Sequence, residues 1–333
     1  MPDNIEQINK YIQQVVDCLV LKKDYKEKLK SFSPFILVEG STDTAFLDKC
    51  KCEGVTCIPV SNLLKVDARM RRQPAPPKDS CKLAICNTIY GLSVIPAQIK
   101  CPEGATEWLL FGMVDQDFDD FENIRMTPRL FQTDTHDLET LLLSTDEKAI
   151  NNIKSITFSA QEISRAECLA YEMSKLRQQI RSFSRLPLKL FKGSSGVVEY
   201  SEFTDGPDIN VKKAIAYINS KAEHKLSKAE FNSLVEKIIA ENGRFIERSG
   251  VFNYGSNGFD ALFYYDFWFD VNGHDFLSAL MYINENAYYK YYDSSKGELN
   301  RDFEFDLIGA YDISRFTTTR IYRRMHDSKL VEV

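Results

Sequence analysis

Apolar residues recur along this chain with two different periods, and each change of period marks a new element. Ile5, Ile8, Ile12, Val15, Val16 and Leu19 stand three or four apart, or side by side, with polar residues between them, which predicts one or two helices over residues 3–30. Ser33-Pro34 breaks that pattern. Phe35-Ile36-Leu37-Val38-Glu39-Gly40 follows, a short apolar strand that ends in a carboxylate and a glycine. Ser41 or Thr42 can cap the next helix, Asp43 to Lys51, which buries Phe46 and Leu47. Val55-Thr56-Cys57-Ile58-Pro59-Val60 is a second strand. Strand, helix and strand within about thirty residues form a βαβ unit, so the sheet is at least partly parallel.

Lys65 to Lys78 carries Arg69, Arg71, Arg72, Pro74, Pro76 and Pro77 and is expected to be a loop rather than regular structure throughout. Lys82 to Val94 is a helix candidate. Trp108-Leu109-Leu110-Phe111-Gly112-Met113-Val114 has the length and composition of a strand buried on both faces. Leu130-Phe131-Gln132-Thr133 is a fourth, short strand.

The second half reads differently. Ser159 to Phe183 is an amphipathic helix, Gly193-Ser194-Ser195-Gly196 a turn, and Ser227-Lys228-Ala229-Glu230 a capping box whose helix ends at Asn242-Gly243. Phe263 to Val271 is aromatic and partly extended. Asn272-Gly273-His274-Asp275 then turns into a helix through Phe276, Leu277, Leu280 and Met281. A last helix, Asp312 to Met325, carries Arg315, Arg320, Arg323 and Arg324. The pattern predicts an α/β chain in three parts: a helical segment over 1–32, a core with a mostly parallel sheet flanked by helices over 33–155, and a mainly helical region over 156–333.

Three of these strands end in acids. Glu39 closes the first, Asp115-Gln116-Asp117-Phe118-Asp119-Asp120 the third, and Asp134-Thr135-His136-Asp137-Leu138-Glu139 the fourth. In open parallel sheets the crevice beyond the carboxyl ends of the strands is where ligands bind. Asp115 and Asp117 point to one side of an extended chain. Two such charges about 4 Å apart repel by roughly 4 kcal/mol at an effective dielectric near 20, and a hard cation removes that cost. Asp119 and Asp120 read as solvated turn residues and Asp43 as a helix cap.

Composition narrows the picture. The chain has 333 residues, 44% hydrophobic and 27% charged, with no apolar run long enough to span a membrane. The polar, acidic start Met1-Pro2-Asp3-Asn4-Ile5-Glu6 does not resemble a secretory signal, so a cytoplasmic location is expected. Cys50, Cys52, Cys57, Cys81, Cys86 and Cys101 lack the paired CxxC hooks of structural zinc sites and are expected to be reduced thiols. The net charge of -6 argues against nonspecific coating of nucleic acid, but the charge is uneven. Residues 102–146 hold eleven acids against Arg125 and Arg129, whereas Arg165, Lys175, Arg177, Arg181, Arg185, Lys189 and Lys192 face only Glu167 and Glu172. An acidic pocket beside a basic flank suits a metal-dependent enzyme with a polyanionic substrate; an ordinary solvated helix explains the basic run equally well.

Leu37-Val38-Glu39-Gly40-Ser41-Thr42-Asp43 followed by Val114-Asp115-Gln116-Asp117 resembles the Toprim signature, a glutamate and glycine after the first strand and DxD after a later one. With Thr133-Asp134-Thr135-His136-Asp137-Leu138-Glu139 and Asn272-Gly273-His274-Asp275 added, the chain is similar to a Toprim-like family long labelled a domain of unknown function. That branch, related to OLD-type nucleases, includes the Toprim effector subunit of the PARIS phage-defence system. The resemblance covers residues 35–143 and continues beyond them mainly through the NGHD motif.

The resemblance implies a Toprim-like core and divalent-metal-dependent cleavage of a nucleic acid backbone, with RNA, tRNA included, preferred to DNA. It implies Mg2+ or Mn2+ held by Asp115 and Asp117, with Glu39 as general base or acid or as ligand to a second ion. Asp137 and Glu139 would complete the shell, although acids also favour a helix N-terminus. His136, His274 and Arg315, Arg320, Arg323 and Arg324 are candidates for substrate contact. The chain has no GxxxxGK[ST] run, so nucleotide-driven control would come from an ABC- or OLD-type ATPase partner. The aromatic stretches Phe263 to Phe269 and Tyr288-Tyr289 would supply interface surface for that partner, and the active form is expected to be a homodimer. Two other readings stand beside this one. The first is a non-catalytic Toprim scaffold that regulates a partner. The second is a primase-like or topoisomerase-like activity, which the sequence opposes for want of zinc-ribbon spacing or a recognisable strand-cleaving tyrosine.

Overall fold

The computed structural model describes residues 15, 33–50, 52, 54–70, 80–94, 109–116, 127–154, 156–184, 198–205, 208–221, 225–249, 268, 271–293, 298–299 and 302–331. The chain divides into two units, Met1–Asp146 with Tyr311–Val333, and Glu147–Ala310.

At the centre of the first unit lie four parallel strands, β1 (Phe35–Val38), β2 (Thr56–Pro59), β3 (Leu110–Val114) and β4 (Leu130–Gln132), in the order β2-β1-β3-β4. All four residues of β1 are buried, as a strand covered on both faces requires. Phe35 and Leu37 alternate onto one face and join Ile58, Leu63, Leu64, Ile85 and Ile89 in a single apolar cluster. Helices α1 (Ser41–Lys49), α2 (Val60–Met70), α3 (Ser80–Val94) and α4 (Leu138–Thr145) complete the α/β arrangement. Gly112 in β3 lets α3 approach closely. A Cβ there would stand 2.6 Å from Ile85 Cγ2 and 3.0 Å from both Ile89 Cγ1 and Leu130 Cδ1.

The second unit is mainly helical: α5 (Ala160–Phe183), α6 (Val211–Lys221), α7 (Lys228–Ser249), α8 (Gly273–Ile283), α9 (Glu285–Tyr291) and α10 (Asp302–Ala310), with the short antiparallel pairs β5–β6 (Thr204–Asp205, Asp208–Ile209) and β7–β8 (Tyr292–Asp293, Glu298–Leu299). Helix α5 opens on the capping box Ser159/Glu162 and buries Leu169, Met173, Leu176 and Ile180, spaced three or four apart. The NGHD motif organises the start of α8. Asn272 Oδ1 accepts the Asp275 N–H at 3.2 Å, and Asp275 pairs with Arg177 of α5, with Nη2 donating to Oδ1 at 2.6 Å. The Tyr200 hydroxyl donates to the Asp275 carbonyl at 3.2 Å. Arg177 is only 2% exposed, so it belongs to the interior and not to a solvated basic face.

Several sequence expectations change. The loop expected from Lys65 is helical as far as Met70, and residues 71–79 lie outside those described. Helix α7 continues past Asn242-Gly243 to Ser249, since one interior glycine costs only about 1 kcal/mol. The expected last helix is two elements, a 3-10 segment over Ile313–Thr318 and α11 over Arg320–Asp327. Each has its own cap: Asp312 accepts from Ser314 N–H at 3.0 Å and Thr319 from Tyr322 N–H at 3.1 Å.

The division also falls at Asp146, before the expected boundary at 155, and the chain's last segment returns to the first unit. Specific contacts hold it there. Phe316 meets Phe46 edge-on at 4.9 Å, Lys49 Nζ donates to the Tyr311 carbonyl at 2.6 Å, and Asp312 N–H donates to Asp146 at 2.9 Å. Of the expected N-terminal helices only Val15 is described, helical and buried in the core cluster. Within the aromatic stretch 263–269 only Trp268 is described. It is 1% exposed, edge-on to Phe276 at 5.1 Å, and so packs into its own unit's core.

Candidate active site at the ends of strands β1 and β3

The strand order fixes where a crevice must open. From β1 the chain crosses to β2 on one side, then returns past β1 to place β3 on the other. The carboxyl ends of β1 and β3 therefore flank the topological switch point, where the connections diverge and leave space. Glu39 is the residue after β1 and Asp115 the residue after β3. The Asp115 N–H donates to Glu39 Oε1 at 3.3 Å, so two acids 76 positions apart in sequence meet there. Both are half-buried. Asp117, the second aspartate of the DxD, lies outside the described residues, as do Asp119 and Asp120.

Neighbouring backbone is fixed on each side of the pair. The N-cap of α1 is Gly40, so Ser41 and Thr42 lie inside the helix rather than capping it, and Asp43, at its third position, reaches back to accept the Gly40 N–H at 2.8 Å. That helix begins two residues after Glu39, and its N-terminal dipole end favours negative charge nearby. Gln116 N–H donates to Thr133 Oγ1 at 2.9 Å, while Thr133 N–H donates to the Val114 carbonyl at 3.1 Å. Lys82 Nζ, from the first turn of α3, donates to the carbonyls of Asp115 at 2.5 Å and Gln116 at 3.3 Å. Lys82 thus brings a positive charge to the backbone just after β3. The sequence reading missed it, because a single lysine on an otherwise apolar helix carries no pattern.

The third acidic strand end does other work. Asp137 Oδ1 accepts from Thr140 N–H at 2.9 Å as the N-cap of α4, and Oδ2 lies 3.2 Å from His136 Nδ1. Thr140 Oγ1 accepts the Asp137 N–H at 3.0 Å, closing a capping box. Both Asp137 oxygens thus have a local partner at the start of α4. Asp134 accepts from the backbone N–H groups of Arg320 and Ile321, at 2.5 and 2.9 Å, and so anchors the start of α11. His136 is 1% exposed, within this network. Glu139 is buried in the first turn of α4.

The arginines also separate. Arg324 donates to the Leu130 carbonyl at 2.8 Å and lies 5.5 Å above the Phe131 ring, which makes it a tether between α11 and β4. Arg315 sits in the 3-10 segment, and Arg320 and Arg323 are exposed on α11, so the four do not share one helix. His274 belongs to the second unit, with Nδ1 3.6 Å from Glu304 Oε1. Cys50, Cys52 and Cys57 are free thiols. Burial pushes all three up, to about 11 for Cys52 and about 12 for Cys57, which keeps the free thiols protonated at neutral pH.

Glu39 and Asp115, joined through the Asp115 N–H, carry hard oxygen donors of the kind Mg2+ and Mn2+ prefer, and such ions retain several waters and need only one or two carboxylates. No family model, curated protein or solved structure matches the chain. Among the described residues no helix is long and apolar enough to cross a membrane.

Proposed function

We propose that the chain is a Toprim-type nuclease, a divalent-metal-dependent hydrolase of nucleic acid phosphodiester bonds that acts on RNA, tRNA included, in phage defence. The observation that carries the reading is the Asp115–Glu39 hydrogen bond, which unites the two halves of the Toprim-like signature at the switch point of a parallel sheet. A bound Mg2+ or Mn2+ would neutralise phosphate charge and acidify a coordinated water. Asp115, with Asp117, would hold the ion. Glu39 takes up the proton of the attacking water at a carboxylate oxygen, and the Asp115 N–H orients that carboxylate. Lys82, whose ammonium donates to the carbonyls of Asp115 and Gln116, would offset the charge of an incoming phosphate. Control by an ATPase partner and cleavage by a homodimer belong to the same proposal and rest on the family resemblance.

The second reading, a non-catalytic scaffold, is favoured by Lys82 itself, whose ammonium could supply the positive charge that an ion would otherwise bring. One experiment separates the two. Purified protein is incubated with total RNA and with plasmid, in Mg2+ or Mn2+ and again after chelation. Cleavage that requires metal and is lost in Glu39→Gln supports the nuclease. Cleavage unaffected by chelator or by that variant overturns it, and no cleavage by the chain even with its triggered partner leaves the scaffold reading.

A further inference from the structure

The second unit contains a cleft of about 440 Å3 that the nuclease reading does not use. Its size lies within the roughly 300–1,000 Å3 typical of small-molecule sites. The 3-10 turn Tyr200–Glu202 forms one wall, α8 another, and α9 with the start of β7 the rest. Tyrosine rings dominate those walls. Tyr288 and Tyr292 stack at 4.8 Å, Tyr289 meets Tyr288 edge-on at 6.0 Å, and Tyr282 stacks on Tyr200 at 5.9 Å. Tyr289 is 79% exposed, an unusual cost for a large ring on a helix that could have carried a polar residue.

Three carboxylates, Glu199, Glu202 and Glu285, share this lining, and among the described residues no lysine, arginine or histidine does. Among the described residues none of the three forms an ion pair. Glu199 Oε2 accepts from the Tyr217 hydroxyl at 3.5 Å. Burial, the Tyr292 ring and the Glu199 carboxylate together push the Tyr288 phenol up, which places a carboxylate's field on the ring wall. A cleft of one charge sign concentrates counter-ions of the other. The ring faces decide which kind. Aromatic faces attract large, weakly hydrated organic cations, whereas Mg2+ gives up its water reluctantly.

We propose that this cleft binds a linear polyamine, with its ammonium groups on Glu199, Glu202 and Glu285 and its alkyl segments along the tyrosine rings. Three separate carboxylates call for several cationic centres on one ligand, which a single quaternary ammonium does not provide. A cleft of finite volume bounded by three elements suits a small molecule better than a long basic peptide.

Calorimetric titration of the full chain in about 0.15 M salt tests this, with spermidine, Mg2+ and an oligolysine peptide in separate runs. Spermidine is expected to saturate at one per chain and to bind more tightly than Mg2+. Glu202→Gln and Glu285→Gln should each weaken it by about tenfold, or ~1.4 kcal/mol, and Tyr289→Ala should weaken it as well. All three positions are exposed, and unchanged melting curves would show that the variants fold. Binding of several spermidines, with equal affinity in the variants, would reveal diffuse surface charge and overturn the proposal. Absence of binding would do so too, as would tighter binding of oligolysine through the same residues, which would identify a protein partner. None of these readouts depends on cleavage activity.

Discussion

The backbone N–H of Asp115 donates to the side-chain carboxylate of Glu39 at 3.3 Å. This bond fixes one oxygen of Glu39 against the backbone after β3. Under the proposed nuclease reading, loss of the Glu39 charge should affect chemistry before it affects folding.

Glu39→Gln is therefore expected to lower metal-dependent cleavage by roughly 10²–10⁴-fold, the usual contribution of a general acid or base. Its thermal midpoint should stay within a few degrees of the parent, because the side chain is only half-buried. Cleavage assays paired with a melting curve check both statements, and parent-level activity would remove Glu39 from the mechanism.

Gly112→Ala should act in the opposite way. A Cβ 2.6 Å from Ile85 Cγ2 forces α3 away from β3, and overpacking of this kind costs about 1–3 kcal/mol. Lys82 rides on the same helix, so the carbonyls after β3 should also lose their ammonium contact. Urea unfolding would measure the first effect. A stability equal to the parent would show that the helix relaxes freely.

The Arg177–Asp275 pair tests the second unit. Both side chains are almost wholly buried, and breaking such a pair typically costs about 3–5 kcal/mol because the surviving charge is stranded. Arg177→Met alone should destabilise strongly. Arg177→Met combined with Asp275→Leu should recover part of the loss, since two apolar groups strand no charge. A double variant as unstable as the single one would count against this account.

Glu167 predicts a pH dependence. Burial, with a smaller contribution from Glu147, pushes its carboxyl up to about 7. The folded state thus holds a proton that the unfolded chain releases near its ordinary value of 4.5. Stability therefore falls as pH rises from about 4.5 to about 7, and above that window the full penalty persists. Glu167→Gln should remove this slope and stabilise the protein at pH 8 by at most roughly 3 kcal/mol, given about 1.4 kcal/mol per unit. Chemical denaturation at pH 5 and pH 8 for both proteins provides the check.

What was legible in the sequence follows the strength of the physical signal. Strands buried on both faces are continuous apolar runs, so β1 and β3 stand out, and the acids that follow them could be placed at one sheet edge. Asp134 and Asp137 looked the same from sequence. A carboxylate that caps a helix has the same residue type at the same kind of position as one left at an open strand end, and only Thr140 and the amides of Arg320 and Ile321 show what these two accept from. Arg324 was misplaced for a similar reason. Its target is a strand carbonyl far along the chain, which no helical spacing reveals. The NGHD motif was visible as a turn, but its partner, Arg177, was hidden inside an apparently solvated basic run.

The return of Tyr311–Val333 to the first unit has a consequence for the protein's birth on the ribosome. Domains ordinarily mature in order of synthesis, the earlier one first. Here Glu147–Ala310 emerges whole before the segment that carries Phe316 and Arg324 exists. Until then Phe46 lacks its edge-on partner, Asp134 has no helix to cap, and β4 waits for its arginine tether. The later-made unit can thus finish before the earlier one, and the nascent chain completes the surroundings of its acidic strand ends only once Tyr311–Val333 has been made.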